Sequence, residues 1–189
     1  MSATKVFLNF QLTNYVDPDV ISIALVAETG EEFYAENLEV DTSTASDFAL
    51  TKVFPLLKSD VHGMLLGEMS AAIWNYFTEL DTNNAIIVTE YNSDFETLVF
   101  LMGGIHPKLA AEYESNNAFM HSHGSIKALS TGKRIKDVVD ECRFVFFSKA
   151  WSYFQLMQET PNHALHAAKA VATARLETEN WLKTFNVKG

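Results

Sequence analysis

Residues Ile21 to Asn37, ISIALVAETGEEFYAEN, read as two strands joined by a tight turn. Val20 to Ala27 is apolar and rich in β-branched residues. Thr29-Gly30 follows at the reversal, and then Phe33 and Ala35 alternate with Glu32, Tyr34 and Glu36. That period of two, with Gly at the turn, predicts a hairpin. Upstream, Val6, Leu8, Phe10 and Leu12 alternate with Phe7, Asn9 and Gln11, so Lys5 to Leu12 is predicted to be a strand carrying Asn9 and Gln11 on one face. The domain should therefore open with a three-stranded antiparallel meander.

Downstream the period changes. Ser43 or Ser46 could cap a helix running toward Phe54, ended or kinked by Pro55, and Leu65, Met69, Ile73, Tyr76 and Leu80 recur at helical steps. Ala85 to Val88 suits a buried strand, and Asp94 to Met102 a helix stopped by Gly103-Gly104. Ile105 to Gln158 reads as helices and a mobile loop. After Pro161, Leu165, Ala168, Ala172 and Leu176 share a helical face that continues to Trp181 and Phe185. The order β-β-β-α-β-α, with helices after it, predicts an α/β domain whose mixed sheet is flanked by helices.

With 189 residues, 48% of them apolar, the chain can bury one good core, so residues 1–189 are expected to form a single domain. No apolar run approaches the length of a membrane span and no leader peptide is read at Met1, which sets the expectation of a cytoplasmic protein, in the host cytoplasm if phage-encoded. The lone Cys142 excludes an internal disulfide and is expected to be a core thiol. A net charge of -10 gives no general attraction for phosphate backbones. A nucleic-acid contact would need the local patch of Lys127, Lys133, Arg134 and Lys136, which reads more simply as a solvated helix face. The acidic surplus also suits a basic protein partner, with Glu28 to Glu39 and Asp137 to Glu141 as contact surfaces.

Three segments resemble, in order, the sequence blocks of DEDD-type 3′-5′ exonucleases, and more narrowly the small RNase T-like exoribonucleases of the mycobacterial type. They are Leu8-Asn9-Phe10-Gln11 with the hairpin text quoted above, TEYNSDFETLVFL with Asp94, and Asn162-His163-Ala164-Leu165-His166-Ala167-Ala168-Lys169; VFPLL at Val53 to Leu57 also resembles a family segment. The resemblance spans most of the chain and implies an RNase H-like fold. It also implies a site in which four carboxylates hold two Mg²⁺ or Mn²⁺ ions around the scissile phosphate while a His serves as general base.

On that pattern Asn9 stands at the first Asp, Gln11 at the Glu, Ala167 at the last Asp and Asn162 at the His, leaving Asp94 as the retained acid. Mg²⁺ wants anionic oxygens, and neutral amides bind it far more weakly. No shift of register restores the set. The expectation is therefore a catalytically inactive or strongly impaired 3′-5′ exonuclease-like protein with no cofactor and at most weak metal binding at Asp94. It would act by binding single-stranded nucleic acid or a basic protein surface, in the manner of a regulator or inhibitor such as a phage or mobile element carries. Phe10 and Tyr91 are candidate stacking residues, with Asn92 and His163 as further substrate contacts. The alternative is an active exoribonuclease or exodeoxyribonuclease using Mg²⁺ or Mn²⁺, or an engineered inactive form of one.

Other features have plainer readings. His121, His123, His163 and His166 could form a zinc site, but surface or hydrogen-bonded histidines are favoured. The aromatic run Phe144, Phe146, Phe147, Trp151, Tyr153 and Phe154 could stack bases, but core packing or the interface of a homodimer is favoured.

Overall fold

The computed structural model describes residues 3–14, 16–116, 118–120, 122, 134–158 and 160–183. Its strands are β1 (Thr4–Leu12), β2 (Val20–Ala27), β3 (Glu32–Asn37), the two-residue β4 (Gly63–Met64), β5 (Ala85–Thr89) and β6 (Leu109–Ser115). Its α-helices are the single turn α1 (Ser59–His62), α2 (Leu66–Glu79), α3 (Asn92–Leu101), α4 (Ile135–Met157) and α5 (Ala164–Lys183). One sheet has the order β4-β3-β2-β1-β5-β6. The β1–β2 and β2–β3 pairs are antiparallel, while β5 joins β1, β6 joins β5 and β4 joins β3 in parallel.

The alternation within β1 divides the core. Val6, Leu8 and Phe10 enter a cluster with Met69, Ile73 and Phe77 of α2 and Phe95 and Leu98 of α3. Phe7, on the opposite face, packs with Ala24, Val88 and the α5 residues Ala164, Ala168 and Ala172. Small residues on α5 let that helix lie close over β1 and β2. Asn9 and Gln11 follow Phe7 on this face, and the register sets Asn9 beside Ala24 and Gln11 beside Ser22. The amides thus face the layer occupied by α5.

The meander, its turn at Gly30 with φ of 108°, and the later strand and helices match the sequence expectations. Two strands do not. LAAEYES at 109–115 forms β6, inside a stretch read as helices and loop, and β4 is too short to carry a periodic signal. The helix expected before Pro55 is a short 3-10 turn, Thr42–Thr44, capped by Asp41, then a π-helix, Ala49–Val53, then a 3-10 turn, Phe54–Leu56. Ser46 accepts a hydrogen bond from the Ala49 amide at 3.2 Å. No described helix is long and apolar enough to cross a membrane.

Candidate functional site

β5 ends at Thr89, the chain turns through Glu90 and Tyr91, and α3 begins at Asn92 with Asp94 in its first turn. The Thr89 hydroxyl donates to Asp94 Oδ2 at 2.7 Å, fixing the carboxylate against the strand end. Asp94 is 6% exposed. Burial pushes its carboxyl above the ordinary range, partly offset by hydrogen bonds involving Thr89 and the Tyr91 backbone. Glu90 is also pushed up, by burial first and by the Asp94 charge second.

These carboxylates line a cavity of about 350 Å³ that also touches Asn9, Gln11, Asn162 and Ala167. The first strand, the β5–α3 turn and the start of α5 thus converge, although their residues lie far apart in sequence. Gln11 Nε2 donates to Asn9 Oδ1 at 3.4 Å, so the amides partner one another across the pleat. Phe10, Phe48, Tyr91, Phe146, Phe147 and Phe154 supply aromatic walls. Phe48, Tyr91 and Phe147 are 54%, 61% and 55% exposed and form the rim.

Several sequence assignments change in detail. Phe10 touches the cavity, but at 8% exposure it is packed into the α2–α3 core and serves as wall rather than stacking surface. Asn92 opens α3, and its side chain lies outside the described residues. His163 does not line the cavity. Its ring lies against Tyr34, with centroids 4.5 Å apart, and stacks on His166 at 4.4 Å. Burial, then the neighbouring His166, lowers the His163 pKa to about 4. Within the aromatic run Phe146 is buried in the core and also lines the cavity with Phe147 and Phe154, while Phe144 and Trp151 are exposed.

Cys142 is buried beside Phe146 and Val138 as a core thiol. Arg134 pairs with Asp137 through two hydrogen bonds of 2.9 Å, which ties up one cation of the basic patch; Lys127 and Lys133 lie outside the described residues, as do His121 and His123. Within the expected acidic surface, Glu36 is fully buried and Glu32 pairs with Lys169 at 2.8 Å.

Glu90 is the residue that motif matching missed. A charge directly after a buried apolar strand and four residues before Asp94 was its signal. Even with Glu90 the donors do not fit a two-metal centre: the two carboxylates share the lining with the neutral amides of Asn9, Gln11, Asn14 and Asn162, and Ala167 offers no ligand. Among the described residues no group of three or more His, Cys, Asp or Glu side chains gathers into one cluster.

Against solved structures, the chain is similar to the nuclease domain of 3′hExo, a DEDDh family member, bound to rAMP, with a TM-score of 0.52, 12% identity, and coverage of 94% of this chain and 92% of that one. The fold is that of a DEDD exonuclease domain. A second similar structure, the 3′-exonuclease in 3′-end specific recognition of histone mRNA stem-loop, has a TM-score of 0.46 and 9% identity, covering 100% of this chain and 84% of that one. No family model and no curated protein sequence matches. At 12% identity the likeness to the 3′hExo domain shows the fold alone, with its RNase H-like sheet, and leaves the chemistry to the residues of this cavity.

Proposed function

We propose that this protein is an exonuclease-fold domain that works by binding, without phosphodiester hydrolysis and without a metal cofactor. The observation that carries the reading is the convergence of Asn9, Gln11, Asp94, Asn162 and Ala167 on one cavity. By resemblance these are the family's four acidic positions and its general base, and four of the five hold residues unable to do that work. Two-metal hydrolysis needs enough negative charge to hold both ions and a base to take a proton from water. Amides keep the outline of carboxylates and supply hydrogen bonds without charge, which suits a binding cleft. The similar nuclease domain is bound to rAMP, which supports a binding role for a domain of this fold.

The Glu90–Asp94 pair favours one competing reading, an active exonuclease that has recruited Glu90 in place of a lost ligand. The test is to incubate end-labelled single-stranded RNA and DNA with the protein in Mg²⁺ and in Mn²⁺, beside a variant carrying Asn9→Asp, Gln11→Glu, Asn162→His and Ala167→Asp. The expected result is full-length substrate with the unaltered protein. Trimming that persists through repurification and disappears in Glu90→Gln establishes the competing reading instead. Self-association through the exposed Phe144 and Trp151 of α4 is a subsidiary part of the proposal, checked by sedimentation of the protein and of Phe144→Ser/Trp151→Ser.

A further inference from the structure

The cleft of this fold normally meets the negative charge of phosphate, yet its described lining here holds Glu90 and Asp94 and no Lys, Arg or His. A phosphate entering it without metal ions would meet two carboxylates and no countercharge. The same lining is well suited to a cation. Phe48, Tyr91 and Phe147 line the cavity while more than half exposed, and they come from three separate segments, before the π-helix, at the α3 N-cap and on α4. Aromatic faces attract cations, and buried carboxylates that are costly to ionise alone gain from one. The volume of about 350 Å³ admits one long side chain and not a folded element.

We propose that this cleft receives an arginine side chain presented by a basic segment of a protein partner. The planar guanidinium lies against the aromatic rim and donates to the Glu90 and Asp94 carboxylates, with the Asn9 and Gln11 amide oxygens as further acceptors. Arginine fits better than lysine because its flat, delocalised cation both stacks and donates in a fork. The whole-chain charge of -10 draws a basic segment toward the protein, and the cleft then selects the side chain. The inference rests on the binding-only reading, since a cleft holding catalytic metal ions would repel the guanidinium.

The test uses fluorescence anisotropy with labelled nona-arginine, nona-lysine and nona-uridylate RNA at 0.15 and about 0.5 M NaCl, the latter screening surface charge. Nona-arginine is expected to bind about threefold or more tighter than nona-lysine. Glu90→Gln/Asp94→Asn should weaken it about tenfold, while Glu79→Gln/Asp81→Asn, equal in charge and exposed outside the cavity, changes it less than about twofold. Should the cleft pair perturb folding, as circular dichroism would reveal, Phe147→Ala at the exposed rim carries the same test and should weaken nona-arginine about fivefold. Equal losses from the cleft pair and the surface pair, or no loss in Phe147→Ala, overturn the proposal. So does nona-uridylate RNA that binds the unaltered protein as tightly as nona-arginine does. RNA trimming in Mg²⁺ or Mn²⁺ would overturn the binding-only reading itself, and is scored separately.

Discussion

Two sets of buried carboxylates in this protein are held in opposite ways. Glu36 on β3 is fully buried and accepts hydrogen bonds from the Tyr34 hydroxyl at 2.7 Å, the Lys58 amide at 2.9 Å and the Ser59 hydroxyl at 2.8 Å. It ties β3 to the chain entering α1. Asp94 receives one side-chain hydroxyl, and Glu90 stands beside it in the cavity; burial raises both carboxyls, and the Asp94 charge raises Glu90 further. A carboxylate enclosed by donors from the fold is a structural part. Carboxylates that a fold compensates only in part, on a cavity wall, are candidates to meet a ligand.

That contrast can be broken first at Glu36. Glu36→Ala leaves the Tyr34 and Ser59 hydroxyls and the Lys58 amide without their acceptor, and should lower stability by roughly 3 kcal/mol in urea unfolding. Glu90→Gln/Asp94→Asn should instead change stability at pH 7 by less than about 1 kcal/mol, in the stabilising direction. A large loss in the second variant and none in the first would invert the comparison.

Titration sharpens it. Acids whose folded pKa is raised give a stability contribution that is present in full below their unfolded values, near 4.5 for Glu90 and 3.8 for Asp94, and lost as pH rises through the folded pKa. The stability advantage of the double variant over the unaltered protein should therefore grow between pH 4 and pH 7. His163, close to Glu36, has the opposite sign. Its pKa falls from 6.5 to about 4, so its contribution is present above pH 6.5 and lost as pH drops through the folded value. Replacing it by Phe should reduce the acid-side loss by about 1 kcal/mol, the half-buried ring being partly screened by solvent. The smallest effect belongs to the rim: Phe147→Ser should alter stability by no more than about 0.5 kcal/mol, because its ring is 55% exposed. A larger loss would return Phe147 to the core and remove it from the cleft.

Much of this could be read from the chain. Alternation in β1 put Asn9 and Gln11 on one face, the hairpin at Gly30 set the meander, and Asp94 was placed at a strand-to-helix turn. β6 was missed although Leu109, Ala111 and Tyr113 alternate with Ala110, Glu112 and Glu114: the run is short and carries no β-branched residue, and parallel pairing with β5 is what holds it as a strand. The aromatic segment misled because a helix carrying rings all round gives no period by which to separate Phe146, buried at 1%, from Phe144, exposed at 74%. His163 sits directly after Asn162 in sequence, yet its ring joins Tyr34 and His166 while Asn162 lines the cavity.

Read alone, the chain carried the opening meander, the acidic balance, and the presence of amides and an alanine at positions where the resembling family needs charge and a base. Those are properties of residue type and local period, which need no knowledge of distant neighbours. Folding in three dimensions is what brings Glu90 and Asp94 to one cavity, consumes Glu36 in internal hydrogen bonds, and gathers Phe48, Tyr91 and Phe147 on the cavity's lining. The reason is physical. Burial, desolvation and shared walls depend on which strand and helix ends the sheet order brings together, and no one-dimensional pattern contains that order.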